Sequence, residues 1–388
     1  MFNGYEPIGG RIGSFFLFPE LRLEGEATDN VLATETNQQD DVSLNIRPVV
    51  SLTTADGAER ISVSGFYDRS IHADFDGEDT DQFGSRFFWR SAHISESHTE
   101  IELVGERHVI GRESVANVDE ANSPIHNGRF TARVRYKQVL NRLSLEVEAR
   151  GYRADFADAL DANGNVLDQD FRDYTVLGGI IKGRYLWRES ISLVGFVAVE
   201  KLDYDLGIGD PSFDPLSTVD RDSVRWQVEG GVGFFAQNGL YGDVTVGYLE
   251  RTFNAQPIQL NNIGGFSFTA DLLWNVNPIT TLRLTAGSEF IEAASRTLAG
   301  YRSTSATLEV QRAIMPNLVA TPSLRVSHLN PIGPAFDRTE YSGNIRLDYV
   351  MNRRWSFFSQ YRHSGRNSND VQFAYNGNWF NLGTRIRF

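Results

Sequence analysis

Arg133, Arg135 and Lys137 stand at every second position, and Glu146 and Glu148 repeat that spacing shortly after them. Side chains at i and i+2 share one face of an extended chain, so these five charges form a ladder and a counter-ladder on neighbouring strands. The same alternation carries Arg22 and Glu24, Arg47, Arg86, Glu102, Glu106, Arg150, Lys182, Arg184, Arg225, Glu229, Arg325, Arg346, Arg362, Arg385 and Arg387. In a dry core each such ion would carry a large desolvation penalty. Facing water, it carries little. The chemistry expected of them is therefore that of a hydrated, ion-lined wall. A sharper expectation is that the Arg133, Arg135, Lys137 ladder, opposite Glu146 and Glu148, follows the path of a polar or acidic solute.

Other chemistries find no support in the residues. His-Glu-x-x-His, Gly-x-Ser-x-Gly and P-loop patterns are absent, and the seven histidines are scattered, so no catalytic residue is expected. Cysteine is absent, which removes thiolate catalysis, Cys-based zinc sites and disulfides. A net charge of −13 argues against a nucleic-acid partner. Acid concentrates in Asp74–Asp81, Asp155–Asp173 and Asp203–Asp222. The run Asp161-Ala-Asn-Gly-Asn-Val-Leu-Asp168 departs from the calcium-loop pattern in its glycine position and lacks the closing Glu. Solvated acidic loops are expected there, with no metal site and no cofactor.

The elements that position the wall are strands. Phe380, Leu382, Thr384, Ile386 and Phe388 alternate with Asn381, Gly383, Arg385 and Arg387 up to the last residue. Similar alternation runs from about Ser14 to the end, which argues against helix throughout. Tight connections such as Leu140-Asn-Arg142, Asn277-Pro-Ile279 and Met351-Asn-Arg353 take turns with longer polar ones such as 28–40, 113–127 and 155–170. No run of about 18 apolar residues exists for a transmembrane helix. A transmembrane barrel needs only every second residue apolar. The expected fold is an all-β, antiparallel up-and-down barrel of about 18 strands, with 16 as the alternative. That count requires one further long connection between Ile291 and Ser305.

Residues 1–13 are expected to form a periplasmic N-terminal segment and 14–388 one outer-membrane barrel. Both termini then lie on the periplasmic, short-turn side of a Gram-negative outer membrane. Met1-Phe-Asn-Gly lacks the basic and apolar regions of a leader, so Met1 is taken to replace one that was removed. Trp187, Trp274, Trp355 and Phe388 fall near tight turns, and Tyr174, Tyr248, Tyr301 and Tyr341 fall toward the longer loops. That spacing predicts two aromatic belts in contact with membrane lipid and lipopolysaccharide. The strand ending at Phe388 resembles the terminal signal read by the barrel-assembly machinery.

Pro7-Ile-Gly-Gly-Arg11-Ile-Gly13-Ser14-Phe, Phe18-Pro19-Glu-Leu21 and Thr28-Asp29-Asn30-Val31 open a longer series of matches. Asn141-Arg142-Leu143-Ser144-Leu145, Gly247-Tyr248-Leu249-Glu250, Trp274-Asn-Val-Asn-Pro278 and Tyr349-Val-Met-Asn352-Arg353 continue it. In order and spacing this series resembles the β-barrel porin type 2 family. The resemblance implies an outer-membrane pore for a secreted exopolysaccharide or capsule glycan, working beside a periplasmic polysaccharide-export protein. A general diffusion porin and a non-conducting structural or adhesive barrel are the alternatives. The family contributes no catalytic residue.

Overall fold

The computed structural model describes residues 4–388 except 56, 94–95, 119–120, 209, 215–217, 236–238, 255–261 and 371–372. Eighteen strands close into one antiparallel barrel. They are β1 (Phe15–Thr28), β2 (Asp41–Thr54), β3 (Glu59–His72), β4 (Thr80–Ala92), β5 (His98–Ile110) and β6 (Ile125–Leu140). Next come β7 (Leu143–Phe156), β8 (Tyr174–Arg188), β9 (Ile191–Tyr204), β10 (Ser223–Phe235), β11 (Leu240–Phe253) and β12 (Ile263–Asn277). The last are β13 (Thr280–Ile291), β14 (Tyr301–Met315), β15 (Leu318–Pro331), β16 (Arg338–Val350), β17 (Trp355–Ser368) and β18 (Tyr375–Arg387). Each strand pairs with its chain neighbours, and β18 closes on β1 from Glu20↔Arg387 to Thr28↔Trp379. The connection expected between Ile291 and Ser305 is the loop 292–300. Gly10–Ile12 folds back to pair with Phe15–Leu17.

Alternation sets the register. Phe380, Leu382, Val134, Tyr136, Val147, Leu177 and Ile181 are exposed on the outer wall, while the charged residues between them face in. A slip of one residue would turn every one of those charges outward, so the pattern admits one pairing.

The loops joining β1–β2 (L1, 29–40), β3–β4 (L2, 73–79), β5–β6 (L3, 111–124), β7–β8 (L4, 157–173), β9–β10 (L5, 205–222) and β13–β14 (L7, 292–300) gather at one rim. Buried apolar clusters sit there too. One joins Ile110, Ile125, Ala154, Phe156, Leu202 and Tyr204; another joins Leu249, Phe253, Phe290, Ala299 and Ile332.

That packing corrects one expectation. Tyr174 and Tyr301 are 5% and 2% exposed and face inward, not toward lipid. Tyr174 stacks on Tyr204 at 5.0 Å between ring centres, and Tyr301 packs with Ala293, Leu298 and Leu329. Their parity in β8 and β14 is the inward one. Trp187, Trp274, Trp355 and Phe388 are exposed at the short-turn rim, and Tyr248 is exposed on the outer wall.

Candidate functional site: the charged lumen and its crossing loop

Every charged residue of the expected wall has inward parity in its strand. Antiparallel pairing places them in lateral rows. Arg86 bonds Glu102 at 2.6 Å, and Glu102 also takes Arg133. Arg135 reaches Glu148 at 2.7 Å, Glu146 at 3.3 Å and Glu100 at 3.3 Å. Glu200 joins Arg150 at 2.6 Å to Arg225 at 3.1 Å. Asp243 holds both Lys182 and Arg184, at 2.8 and 2.6 Å. The result is a track of shared ion pairs from β4 round to β11. Register sets Arg135 opposite Glu148 and Lys137 opposite Glu146 on the next strand, and the ion pairs follow it only in part. Arg133 turns to β5 instead of β7, and Lys137 has no carboxylate within ion-pair distance among the described residues.

Nearer the short-turn rim, Arg22 bonds Glu24 at 2.7 Å, Arg47 reaches Asp68 at 3.3 Å and Arg346 bonds Asp348 at 2.8 Å. Arg385 and Arg387 share Glu20, at 3.1 and 3.2 Å. The guanidiniums of Arg22 and Arg346 lie 4.7 and 4.3 Å from the ring centre of Phe358. Phe358 in turn lies over Gly383, where any Cβ would overlap its ring. Glu229 departs from the paired pattern. Neutral donors hold it, Gln227 at 2.7 Å and Thr245 at 2.5 Å, with Ser267 beside them. Arg325 also faces in and has no carboxylate in reach among the described residues.

L3 crosses the lumen. L3 leaves the end of β5 and reaches β17, six strands away around the wall. There Glu113 accepts two hydrogen bonds from Arg362, at 2.6 and 2.8 Å, and one from Ser364 at 3.2 Å. Arg366 donates to the Glu113 carbonyl oxygen. At the loop's root, Arg112 bonds Glu78 of L2 at 2.9 and 3.1 Å and the Ala121 carbonyl at 2.8 Å. Farther along, Val115 packs on Ala293, Leu298, Tyr301 and Leu329, and Arg172 donates to the Ala116 carbonyl at 2.7 Å. Between the crossing loop and the β5–β10 wall lies a chamber of about 850 Å³, lined by Glu102, Arg129, Arg133, Arg150 and Arg225.

A second cluster holds the rim. Glu292 of L7 meets Arg251 at 3.2 Å, Arg225 at 3.7 Å and the Tyr204 hydroxyl. Burial pushes the Glu292 carboxyl up, but Arg251, Arg225, the Tyr204 hydrogen bond and Arg221 outweigh it and leave it below its ordinary value. Arg251, fully buried, also donates to Ser223 at 2.9 Å and to the Ala299 carbonyl at 3.2 Å. Arg221 donates to the Ala293 carbonyl at 3.3 Å. In L4, burial pushes Asp173 up to about 6; its hydrogen bond from the Phe156 amide opposes the shift, and Asp155 adds to it. Oxygens of Asp158, Asp168 and Asp170 converge within 4.8 Å of one another, and Arg296 bonds Asp168 at 2.7 Å.

Sequence reading missed Glu113, Glu292, Arg251 and Arg366, although it placed their partners Arg362 and Arg225 on the wall. A signal did exist for L3. Gly111-Arg-Glu-Ser-Val-Ala116 sets apolar residues and a charge pair in a loop otherwise read as solvated.

A family model described as "Putative beta-barrel porin 2" matches residues 3–388, and the chain belongs to that family. No curated protein matches. Among solved structures, the fold is similar to the copper transporter OprC, at 9% identity and TM-score 0.50, over 98% of this chain and 81% of that one. It is similar to OccAB2 of Acinetobacter baumannii, at 10% identity and TM-score 0.50, over 98% of this chain and all of that one. It is also similar to the FrpB iron transporter of Neisseria meningitidis (F3-3 variant), at 9% identity and TM-score 0.50, over 90% of this chain. The chain spans 62% of that FrpB chain, under two thirds of its length. At these identities the likeness shows the fold, a porin-type outer-membrane barrel.

Proposed function

We propose that this outer-membrane porin is the exit passage for a hydrated glycan secreted from the periplasm, opened when L3 leaves its seat on β17. The short-turn rim, with both termini, then faces the periplasm. The observation that carries this reading is the row of shared ion pairs on one wall, Glu102 between Arg86 and Arg133 and Glu200 between Arg150 and Arg225. A polymer sliding past needs donors and acceptors that replace part of its hydration, with no site that holds it tightly. Carboxylates already shared between two arginines meet that need, since each can exchange one partner at a time. Arg385 and Arg387, sharing Glu20 at the short-turn mouth, are where a glycan or a periplasmic export protein would first engage.

A second reading, diffusion of small polar solutes, draws on the chamber of about 850 Å³, which suits a small solute while L3 stays latched. Deleting the gene separates the two. Loss of surface glycan with unchanged uptake of small solutes supports export. Retained glycan with reduced uptake overturns it in favour of the diffusion porin.

A further inference from the structure

The lipid-facing wall is uncharged over most of its height. β3 presents Ile61, Val63, Gly65 and Tyr67 outward, and β9 presents Leu193, Val197 and Val199. Toward the long-loop rim this changes on one side of the barrel. Arg69 on β3, Arg107 on β5, Arg153 on β7 and Lys201 on β9 all have outward parity, and each stands three residues before the end of its strand. They recur on alternate strands, roughly 10 Å apart for strands spaced about 4.8 Å. On β1, β2 and β15 to β18, no outward strand position carries Asp, Glu, Lys or Arg. The opposite rim carries outward Trp89, Trp187, Trp274 and Trp355 instead.

Hydrocarbon does not accept such charges, so the four cations mark a headgroup layer. They differ in how far they are already satisfied. Arg69 bonds Asp79 at 2.7 Å and Asp81 at 2.8 Å, Arg153 bonds Asp205, and Lys201 sits 3.2 Å from Asp203. Among the described residues, Arg107 has no carboxylate within ion-pair distance. A guanidinium has five donors, so Arg69 and Arg153 can hold their carboxylates and still donate to a phosphate beside Arg107.

We propose that the outer wall of β3 to β9 is a docking site for a phosphorylated glycolipid of the outer leaflet. One phosphate is seated on Arg107 between Arg69 and Arg153, and a second is drawn to Lys201. The site is independent of what the lumen conducts.

The experiment is native mass spectrometry of the folded barrel titrated with a diphosphorylated, acylated glucosamine disaccharide or with the same glycolipid stripped of its phosphates. The phosphorylated lipid is expected to stay bound and the stripped one to wash off. Each cation near a headgroup layer contributes about fivefold in affinity, so Arg107→Gln with Lys201→Gln is expected to weaken binding about 25-fold. Arg312→Gln, an outward arginine at the short-turn rim, is expected to change nothing. Equal retention of the two lipids by the unmodified barrel overturns the proposal, and this arm needs no variant to fold. So does wild-type affinity in a double variant that keeps the wild-type gel mobility shift on heating, or an equal loss in Arg312→Gln.

Discussion

Glu113→Gln is the perturbation that bears most directly on how this pore opens. It keeps the shape of the side chain but removes the charge that Arg362 holds through bonds of 2.6 and 2.8 Å. Hydrogen bonds to charged groups are worth about 1.5–3 kcal/mol each. Both side chains are about 30% exposed (30% for Glu113 and 28% for Arg362), so water screens part of that, and a net loss of about 2 kcal/mol is expected. The Arg366 bond to the Glu113 carbonyl and the Val115 packing survive the change. If L3 exchanges between a latched and a released state, about 2 kcal/mol raises the released population about 30-fold. Single-channel recording in planar bilayers reads this as a matching rise in the time spent at high conductance. The charge reversal Glu113→Arg with Arg362→Glu is expected to restore much of the wild-type pattern. Unchanged conductance and dwell times in Glu113→Gln would refute the idea that this ion pair holds the gate.

Other predictions test the wall and the loops. Leu382→Arg, on the lipid face, should cost about 2–4 kcal/mol near the membrane midplane, whereas Thr307→Arg, facing the lumen, should cost far less; urea titration of barrels folded into vesicles compares the two. In Gly383→Ala the new methyl overlaps the Phe358 ring and lies 2.8 Å from the Leu23 carbonyl oxygen, so a loss of about 1–3 kcal/mol is expected in the same assay. Asp173 has a folded pKa raised to about 6, so its contribution to L4 is fully present below about pH 4 and is lost as pH rises through 6. Protection of the L4 amides, measured relative to the unfolded chain at each pH, should therefore fall as pH rises from about 4 to about 6 in the wild type and stay level in Asp173→Asn.

The barrel was legible because its signal is local. Alternation at Phe380 to Phe388 and in the other strands fixes which side chains share a face, and tight turns against long loops fix the rims. Even the poorly patterned stretch after Ile291 resolved as the missing connection, since an even strand number required it. Pairing between strands was less legible. Arg133 has Glu102 directly opposite on β5 and Glu148 one inward position away on β7, and alternation alone does not choose between them. Least legible was the crossing of the lumen. Glu113 and Arg362 are 249 residues apart, and nothing local to either marks the other. Tyr174 and Tyr301 were misread for a related reason. A tyrosine at a strand end suits a lipid interface as well as a loop folded back inside, and only the closed barrel decides between them.

The two charge clusters of the lumen divide the work between frame and gate. Burying Glu292 with Arg251 and Arg221 is expensive, and an apolar core of similar volume would often be as stable. Here, though, the same guanidiniums also satisfy the Ala299 and Ala293 carbonyls of L7, which no apolar side chain could do. Replacing them would leave those carbonyls unpaired inside the barrel at a cost of about 1–3 kcal/mol each. That cluster therefore fixes L5 and L7 as rigid parts of the rim. The Glu113 latch differs in kind. Its two charges are partly hydrated, so water can replace their mutual bonds at lower cost than in the buried cluster, while the Arg366 bond and the Val115 packing add to the hold on the loop. On the proposed exit route, opening of this pore falls to L3, moving against a rim that stays in place.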